Sequence, residues 1–196
     1  MHYVVVVAHP SPDGYAHALA AEVERAALAA GNQVTILDLY RESFNAAMTA
    51  EEWRAYAGDN PIVDPQVAAH AELVKQADAL VFVYPTWWSG APSILKGWLD
   101  RVLVAGVAFH FDKKGKVRPS LTNVRHIIGI TTSGSKPLYI ALMRDNGRRM
   151  LGRALRLSCG WRTRTTFLSL RGIHNKTDEQ RERFLARVGK TIGRLK

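Results

Sequence analysis

The chain has 196 residues, a formal net charge of +10 and a single cysteine, Cys159. This length suits one domain over residues 1–196, and a lone cysteine excludes an intrachain disulfide and any dependence on an oxidising compartment. No apolar run approaches the ~20 residues that span a bilayer, and the N-terminus lacks the features of a signal peptide. We therefore expect a cytoplasmic protein without membrane insertion.

The charge is divided unevenly along the chain. Residues 1–100 carry 5 basic and 12 acidic side chains, whereas residues 101–196 carry 22 basic and 5 acidic ones. Three explanations fit this asymmetry: a solvated helix face, a positive field that attracts an anionic dinucleotide, and, least favoured, a surface for nucleic acid.

In chain order, short apolar runs alternate with helical patterns. Residues 3–8 form a β-branched run that is too short for a helix and is typical of a strand buried on both faces. Residues 39–65 are irregular, apart from one or two helical turns at 51–56. The pattern predicts strands at 3–8, 33–38, 79–84, 126–131 and 165–170, and helices at 15–30, 66–77, 92–104, from about 138 to 157, and 177–195.

This alternation predicts an α/β fold with a doubly wound, five-stranded parallel sheet and helices on both faces. The last helix has Thr177 as its expected N-cap, with Gln180 at capping-box spacing. In such a sheet, ligands bind beyond the carboxyl ends of the strands. Three loops therefore meet at the expected site: His9–Gly14, Pro85–Ala91 and Thr131–Gly134.

The first loop lacks the glycine patterns of dinucleotide-binding and P-loop motifs, but it leads into a helix N-terminus. Free N–H groups there favour an anion such as phosphate, with His9 and Ser11 as additional donors. The alternative for His9 is a turn histidine bonded to nearby backbone. The histidines lack ligand spacing with one another or with Cys159, so no metal site is expected.

The second loop contains two adjacent tryptophans, Trp87 and Trp88. They rarely both enter a core, so at least one is expected to present a flat surface to a planar aromatic ligand. The alternative is an exposed patch used in dimerisation. The third loop, with small hydroxyl residues and Gly134, leaves backbone N–H groups accessible, although such residues also fill ordinary loops. Tyr139 follows the third loop, near the start of the next helix. The alternative to a role in ligand binding is that Tyr139 only packs its helix.

At these segments the chain resembles the flavodoxin-like NAD(P)H:quinone oxidoreductases, the family of DT-diaphorase and its bacterial relatives. Tyr84–Val102 carries the most specific likeness. Four further segments resemble the family in the same order along the chain: 8–10 with Tyr15, 38–45, 131–139 and 157–161. The resemblance implies a flavodoxin-like fold and FAD as cofactor, with FMN as the alternative because the chain lacks the extra C-terminal region of the larger members.

The resemblance also implies roles for residues of this chain. Together with Ser11, the candidate cofactor-binding residues are His9, Tyr15, Ala16, Pro85, Thr86, Trp87, Trp88, Thr131, Thr132, Ser133, Gly134 and Tyr139. The candidate catalytic residue is Tyr139. The candidate substrate-binding residues are Trp87, Phe109 and Phe111. Phe109 and Phe111 match aromatics that cap the partner subunit's site, which implies a homodimer.

The activity so implied is ping-pong hydride transfer from NAD(P)H to a quinone or another flat acceptor, that of an NAD(P)H dehydrogenase (quinone). The alternative is an ancillary subunit of a potassium-efflux-type transporter that keeps the fold. One position departs from the family: Asp145 stands where a histidine helps to manage flavin charge. Either Asp145 has no such role, or Lys136 or Arg144 supplies the positive charge.

Overall fold

The computed structural model describes residues 1–56, 58, 60–135, 137–143 and 145–195. Lys136 and Arg144, the two candidate cations near Asp145, lie outside these residues. The strands are β1 (His2–Val7), β2 (Gln33–Asp38), β3 (Ala79–Pro85), β4 (Phe109–Phe111), β5 (Val117–Pro119), β6 (His126–Ser133) and β7 (Arg164–Arg171). The helices are α1 (Tyr15–Ala29), α2 (Ala50–Ala55), α3 (Pro65–Gln76), α4 (Ser93–Val102), α5 (Pro137–Met143), α6 (Asn146–Arg149) and α7 (Asp178–Ile192).

The main sheet has five parallel strands in the order β2-β1-β3-β6-β7, which confirms the predicted fold class. From β1 the chain first moves outward to β2 and then returns to place β3 on the other side of β1. The strand order therefore reverses between β1 and β3. This is the point at which an open α/β sheet leaves a crevice for a ligand at its carboxyl edge.

Alternate residues of the central strands point into two cores, one on each face of the sheet. Val4 and Val6 pack with α3 and α4 on one face, whereas Val5 and Val7 pack with α1 and α7 on the other. Both faces of β1 are buried, which accounts for its continuous run of valines rather than an alternating pattern.

A buried arginine anchors the irregular stretch between β2 and α3. Arg101 of α4 donates from Nε to Glu52 and from Nη2 to Asp64, both at 2.7 Å, and its side chain is 1% exposed. Glu52 also forms the capping box of α2, and Asp64 caps α3. One guanidinium thus holds the starts of α2 and α3 against α4. The two carboxylates compensate the charge of Arg101, which would be costly to bury alone.

Two parts of the structure differ from the sequence-based expectation. Residues 109–119 form a β4–β5 hairpin where no strand was predicted. The expected long helix is instead interrupted: α5 ends at Met143, and Asp145 caps α6 by accepting from the Arg148 amide at 3.0 Å. A π-helical segment, Met150–Leu155, continues α6. An aspartate favours a cap over a helix interior, since its carboxylate competes for backbone N–H groups.

In the described part of the chain, no helix combines the length and apolar character needed to cross a bilayer.

Candidate active site

The three loops expected at the site do meet at the carboxyl edge of the sheet. The Thr86 amide donates to the Thr132 carbonyl at 2.7 Å, and the hydroxyls of Thr86 and Thr131 are hydrogen bonded at 2.7 Å. On the other side, the Ala8 amide donates to the Val83 carbonyl at 2.9 Å. These bonds hold the ends of β1, β3 and β6 together as a rigid base for the loops.

A first cavity of about 300 Å³ opens above this base. It lies beside the start of α1 and is walled by residues from the three loops and from the segment after β7. The described lining residues are His9, Tyr15, Ala16, Pro85, Thr86, Trp87, Thr132, Ser133, Gly134, Ile173, His174 and Arg181.

Several donors at this first cavity fit an anion. The N-cap of α1, Gly14, makes no side-chain cap hydrogen bond, so no cap side chain satisfies the first helical N–H groups. The Ser133 hydroxyl is buried and, among the described residues, has no hydrogen-bond partner. A buried hydroxyl without a partner is costly, so a ligand with a polar group at this position would relieve the cost.

His9 combines both of the roles considered for it. Its Nδ1 accepts a hydrogen bond from the Ser11 amide at 3.1 Å, which makes it a turn histidine. Its ring also lines the first cavity. Gly14 makes this possible, because a Cβ at that position would lie only 2.8 Å from His9 Cε1. Because Nδ1 faces the Ser11 amide and carbonyl, at 3.1 and 3.2 Å, Nε2 is the other ring nitrogen of His9 and is open to a ligand's hydrogen bond.

Arg181, on α7, brings a cation to the same cavity. Its guanidinium contacts Asp178 at 3.2 Å and the Ile173 carbonyl at 3.4 Å, and its Nε has no partner among the residues described. The Tyr15 hydroxyl donates to the Arg181 carbonyl at 2.6 Å, which ties α1 to α7. Burial raises the pKa of Tyr15 to about 12, against the opposing charge of Arg181, so the phenol remains a donor at neutral pH.

A second cavity of about 270 Å³ adjoins the first and shares Thr86 with it. Its described lining residues are Thr86, Trp88, Ser89, Ser135, Tyr139 and Asp145. Trp88 is fully exposed, and both Trp88 and Ser89 have left-handed backbone angles, with φ of 48° and 58°. Such strain in non-glycine residues is held by the tight turn between Trp87 and Gly90, whose amides and carbonyls are paired at 3.1 and 2.9 Å.

Asp145 stands at the far wall of the second cavity, at the break between α5 and α6. The Asn146 amide next to it donates to the Ser89 carbonyl at 2.9 Å, so α6 and the tryptophan loop are joined. Beneath them lies the Tyr84 hydroxyl, which burial and the negative charge of Asp145 keep protonated by raising its pKa. A Cβ at Gly147 would lie 2.9 Å from this hydroxyl, so the glycine allows α6 to approach β3.

The structure thus brings most of the predicted site residues together. In the first cavity these are His9, Tyr15, Ala16, Pro85, Thr86, Trp87, Thr132, Ser133 and Gly134, and in the second they are Trp88 and Tyr139. Ser11 and Thr131 are not among the described residues that line either cavity. Ser11 shapes the first loop through His9, and Thr131 supports Thr86 from below.

Phe109 and Phe111 lie apart from both cavities within the chain. They stand on the β4–β5 hairpin, with their ring centroids 5.9 Å apart and their rings perpendicular. Phe111 is exposed, and Phe109 is partly buried. In the described residues of a single chain, neither ring lines a cavity next to the tryptophan loop.

Sequence reasoning missed Ile173, His174 and Arg181. They follow β7, which is a fourth strand that ends at the same edge of the sheet. Gly172, in the left-handed conformation, turns the chain there, and the capping box of Thr177 and Gln180 starts α7 as predicted. A glycine and an N-cap directly after a buried strand were therefore the available signal. Among the residues described, no group of three or more His, Cys, Asp or Glu side chains is placed to hold a metal ion.

A profile of the flavodoxin-like fold matches residues 1–191 of the chain. The chain belongs to this flavodoxin-like family. It is similar to an uncharacterised NAD(P)H oxidoreductase of Haemophilus influenzae, with 36% identity over 110 residues, which are 56% of this chain and 54% of that protein. It is also similar to NAD(P)H dehydrogenase (quinone) 1 of Rattus norvegicus, with 28% identity over 69% of this chain and 55% of that protein.

A solved structure, the NAD(P)H:quinone oxidoreductase from Methanothermobacter marburgensis, superposes with a TM-score of 0.83 at 26% identity and covers 100% of this chain and 99% of that one. The resemblance drawn from the sequence is therefore confirmed by these matches. The chain spans about half the length of the curated relatives it matches.

Proposed function

We propose that the protein is a flavin-dependent NAD(P)H dehydrogenase (quinone), which transfers hydride from NAD(P)H to a quinone or a similar flat electron acceptor. The observation that carries this proposal is the pair of adjoining cavities at the switch point of the sheet. One offers donors for phosphate, and the other is walled by exposed aromatic rings. The quinone oxidoreductases to which the chain is similar support the same reaction.

The first cavity fits the phosphate end of a flavin nucleotide. The α1 N-terminus and Arg181 supply positive potential, His9 supplies a ring nitrogen, and the buried Ser133 hydroxyl supplies a hydrogen-bonding group without a partner among the described residues. A phosphate placed here satisfies groups that would otherwise remain desolvated and unpaired. Tyr15, through its bond to the Arg181 carbonyl, keeps α7 in position beside the cavity.

The second cavity fits the flat ring system. Trp88 of this cavity and Trp87 of the first cavity offer faces for stacking, and Thr86 lines both cavities, so the ring and its chain join there in this proposal. In this proposal Tyr139, which lines the cavity, donates a hydrogen bond to the ring, and backbone N–H groups of 133–135 stabilise negative charge at its polar edge. When bound, the flavin supplies a carrier that takes a hydride from one substrate and passes it to the next.

A single slot beside the tryptophans serves both substrates in this proposal. NAD(P)H binds, donates its hydride and leaves, and the acceptor then occupies the same place, which is a ping-pong mechanism. Phe109 and Phe111 close that slot from a partner subunit, so the active protein is a homodimer. The separation of these rings from the cavities of their own chain supports this arrangement.

Reconstitution with flavin tests the proposal. The purified protein is mixed with FAD or FMN, passed through a desalting column, and the flavin released by heat is identified by chromatography. We expect retained flavin, with FAD retained in preference to FMN, and parallel double-reciprocal lines for a water-soluble quinone at several NADH or NADPH concentrations. Retention of neither flavin, together with no nicotinamide-driven quinone reduction, would refute the assignment.

A further inference from the structure

The two adjoining cavities of the candidate active site differ in charge. The first is lined by the guanidinium of Arg181 and by two histidines, and no acidic side chain is among its described lining residues. In the second cavity Asp145 is the only charged side chain among the described lining residues, and four of the others carry a hydroxyl group. The cavity that fits phosphate is therefore cationic, whereas the cavity beside the tryptophan loop carries a carboxylate.

The carboxylate of Asp145 is held by a neutral donor. It accepts a hydrogen bond from the Arg148 amide at 3.0 Å, whereas the Arg148 guanidinium lies 5.3 Å from the centre of the Phe167 ring. Asp145 is partly buried, so water screens its charge less than it screens a charge on the open surface. A ring that enters the second cavity therefore meets the negative charge of Asp145.

Aromatic faces in the same cavity favour the same kind of ligand. Trp88 is fully exposed and Tyr139 is 50% exposed, so both side chains are accessible to a ligand there. The face of an indole or a phenol ring attracts a cation that lies within about 6 Å of the ring centre. A carboxylate that shares a cavity with two such rings is suited to flat ligands that carry positive charge, quaternary ammonium groups included.

We propose that Asp145 makes the second cavity select flat electron acceptors by their charge, with cationic acceptors preferred over neutral ones and neutral ones over anions. This inference rests on the proposed quinone reduction and adds a class of acceptor to it. The quinone gains two electrons and two protons, one as the hydride that NAD(P)H supplies and one from water. A charged substituent on the quinone ring keeps its charge throughout, so it acts through binding.

The alternative is that Asp145 serves only as the N-cap of α6. A cap needs a side-chain oxygen but no charge, because Asn and Ser cap helices about as well as Asp. Asp145→Asn and Asp145→Ser therefore separate the two roles. Both variants keep the cap, and both remove the charge from the cavity.

Three 1,4-naphthoquinones that differ in one ring substituent test the proposal. The substituent is a trimethylammoniomethyl, a methyl or a sulfonatomethyl group, and kcat/KM is measured for each with the flavin-supplemented protein. A partly exposed charge pair changes affinity by about threefold, so Asp145→Asn should lower the ratio of the cationic to the anionic quinone roughly tenfold. The change should lie in KM, because the substituent acts through binding.

This ratio isolates the charge at position 145. A change in the flavin reduction potential affects all three quinones alike, and so does not alter the comparison between wild type and variant. The field of every other charge, those of Lys136 and Arg144 included, is common to both proteins. The wild-type ratio should also shrink as salt rises, whereas the ratio of the Asn variant should respond less.

Two further measurements complete the test. Equilibrium dialysis of the oxidised quinones, without nicotinamide, gives dissociation constants that do not depend on turnover, and we expect the same order of charges. Asp145→Ser should match Asp145→Asn in both assays. Glu72→Gln removes an exposed carboxylate on α3, outside both cavities, and should leave the ratio at its wild-type value.

Three results would overturn the inference: an unchanged ratio in both Asp145 variants, an equal loss in Glu72→Gln, or dialysis without a preference for the cationic quinone that depends on Asp145. The first of them would leave Asp145 as a helix cap alone. Failure of the proposed function gives a different pattern, in which the quinones bind in the expected order but neither nicotinamide reduces any of them. That pattern removes the reaction and supports the charge preference of the cavity.

Discussion

At the scale of single residues, Arg181 offers a sharp test of the phosphate subsite. It lines the first cavity from α7, and its Nε lacks a partner among the described residues. A charge-assisted hydrogen bond contributes about 1.5–3 kcal/mol, so Arg181→Gln should raise the flavin dissociation constant roughly 10- to 100-fold. Fluorescence titration of FAD and FMN measures this. Arg187→Gln, on the same helix but outside the cavity, should leave flavin affinity unchanged.

A second test at the residue scale concerns the negative charge of Asp145 and its effect on the flavin reduction potential. Its carboxylate lines the second cavity opposite Trp88, where negative charge opposes the charge gained on flavin reduction. Asp145→Asn keeps a side-chain oxygen for the Arg148 amide and so preserves the cap of α6. We expect the flavin reduction potential to rise by on the order of 10–20 mV, as for a partly exposed charge. An unchanged or lowered potential, measured with a dye couple, would show that this carboxylate does not act on the flavin.

At the scale of elements, Arg101 is expected to dominate the stability of the segment between β2 and α3. Arg101→Met leaves Glu52 and Asp64 without their shared cation, and breaking a buried ion pair on one side costs about 3–5 kcal/mol. Urea denaturation measures the loss in free energy of unfolding. Lys96→Met on the same helix removes only an exposed pair with Asp100, so it should change stability by about 0.5 kcal/mol or less.

The same network predicts a pH dependence. Burial raises the pKa of Glu52 and of Asp64, but the hydrogen bonds from Arg101 outweigh it and hold both pKa values below their usual range. The unfolded chain therefore binds these protons first, so their contribution is present above about pH 4 and is lost as the pH falls further. Wild type should lose stability across that window, and Arg101→Met should show a flatter slope. Equal slopes in the two proteins would exclude these carboxylates as the cause.

Periodicity predicts the five strands of the main sheet within a few residues. The central strands β1, β3 and β6 are runs buried on both faces, whereas the edge strands β2 and β7 are only partly buried but keep short β-branched and apolar runs. Periodicity does not predict β4 and β5, whose three-residue strands are mostly exposed and carry no buried pattern. Periodicity also predicts one continuous helix where the structure has two, α5 and α6. The break depends on the Asp145 cap and on the bond from Asn146 to Ser89, which is a tertiary contact that helical spacing cannot reveal.

The sequence likewise predicts the part of the candidate site that follows from local patterns and misses the part that depends on tertiary contacts. Loops that end β1, β3 and β6 are found from the sequence because each follows an obvious strand, and most of their predicted residues line the two cavities. Arg181 is missed because it lies in the first turn of α7, after a strand-end loop that was not counted among the loops of the site. Only the fold shows that Tyr15 reaches across to its carbonyl. Ser133 is found as a loop residue, but only the fold shows that its hydroxyl is buried and has no partner in the described part of the chain.

At the scale of the whole molecule, the two halves of the chain are brought together rather than kept apart. β1, β2 and β3 come from the acidic half of the chain, and β6 and β7 from the basic half, so the halves meet where β3 pairs with β6. The helices cross this division, because α7 of the basic half packs against α1 of the acidic half. The charge asymmetry of the sequence is therefore not a simple division of the molecule into an acidic and a basic side.

The homodimer is the remaining proposal at this scale, and it can be tested by mixing two defective variants. Phe111→Ala removes an exposed ring from the hairpin, and Arg181→Gln weakens the flavin site of its own chain. If each site uses the hairpin of the partner, a mixed dimer contains one site with both defects and one intact site. Equal mixing after subunit exchange should then restore about a quarter of the wild-type sites. Quinone reduction that stays at the average of the two variants would show that each chain completes its own site.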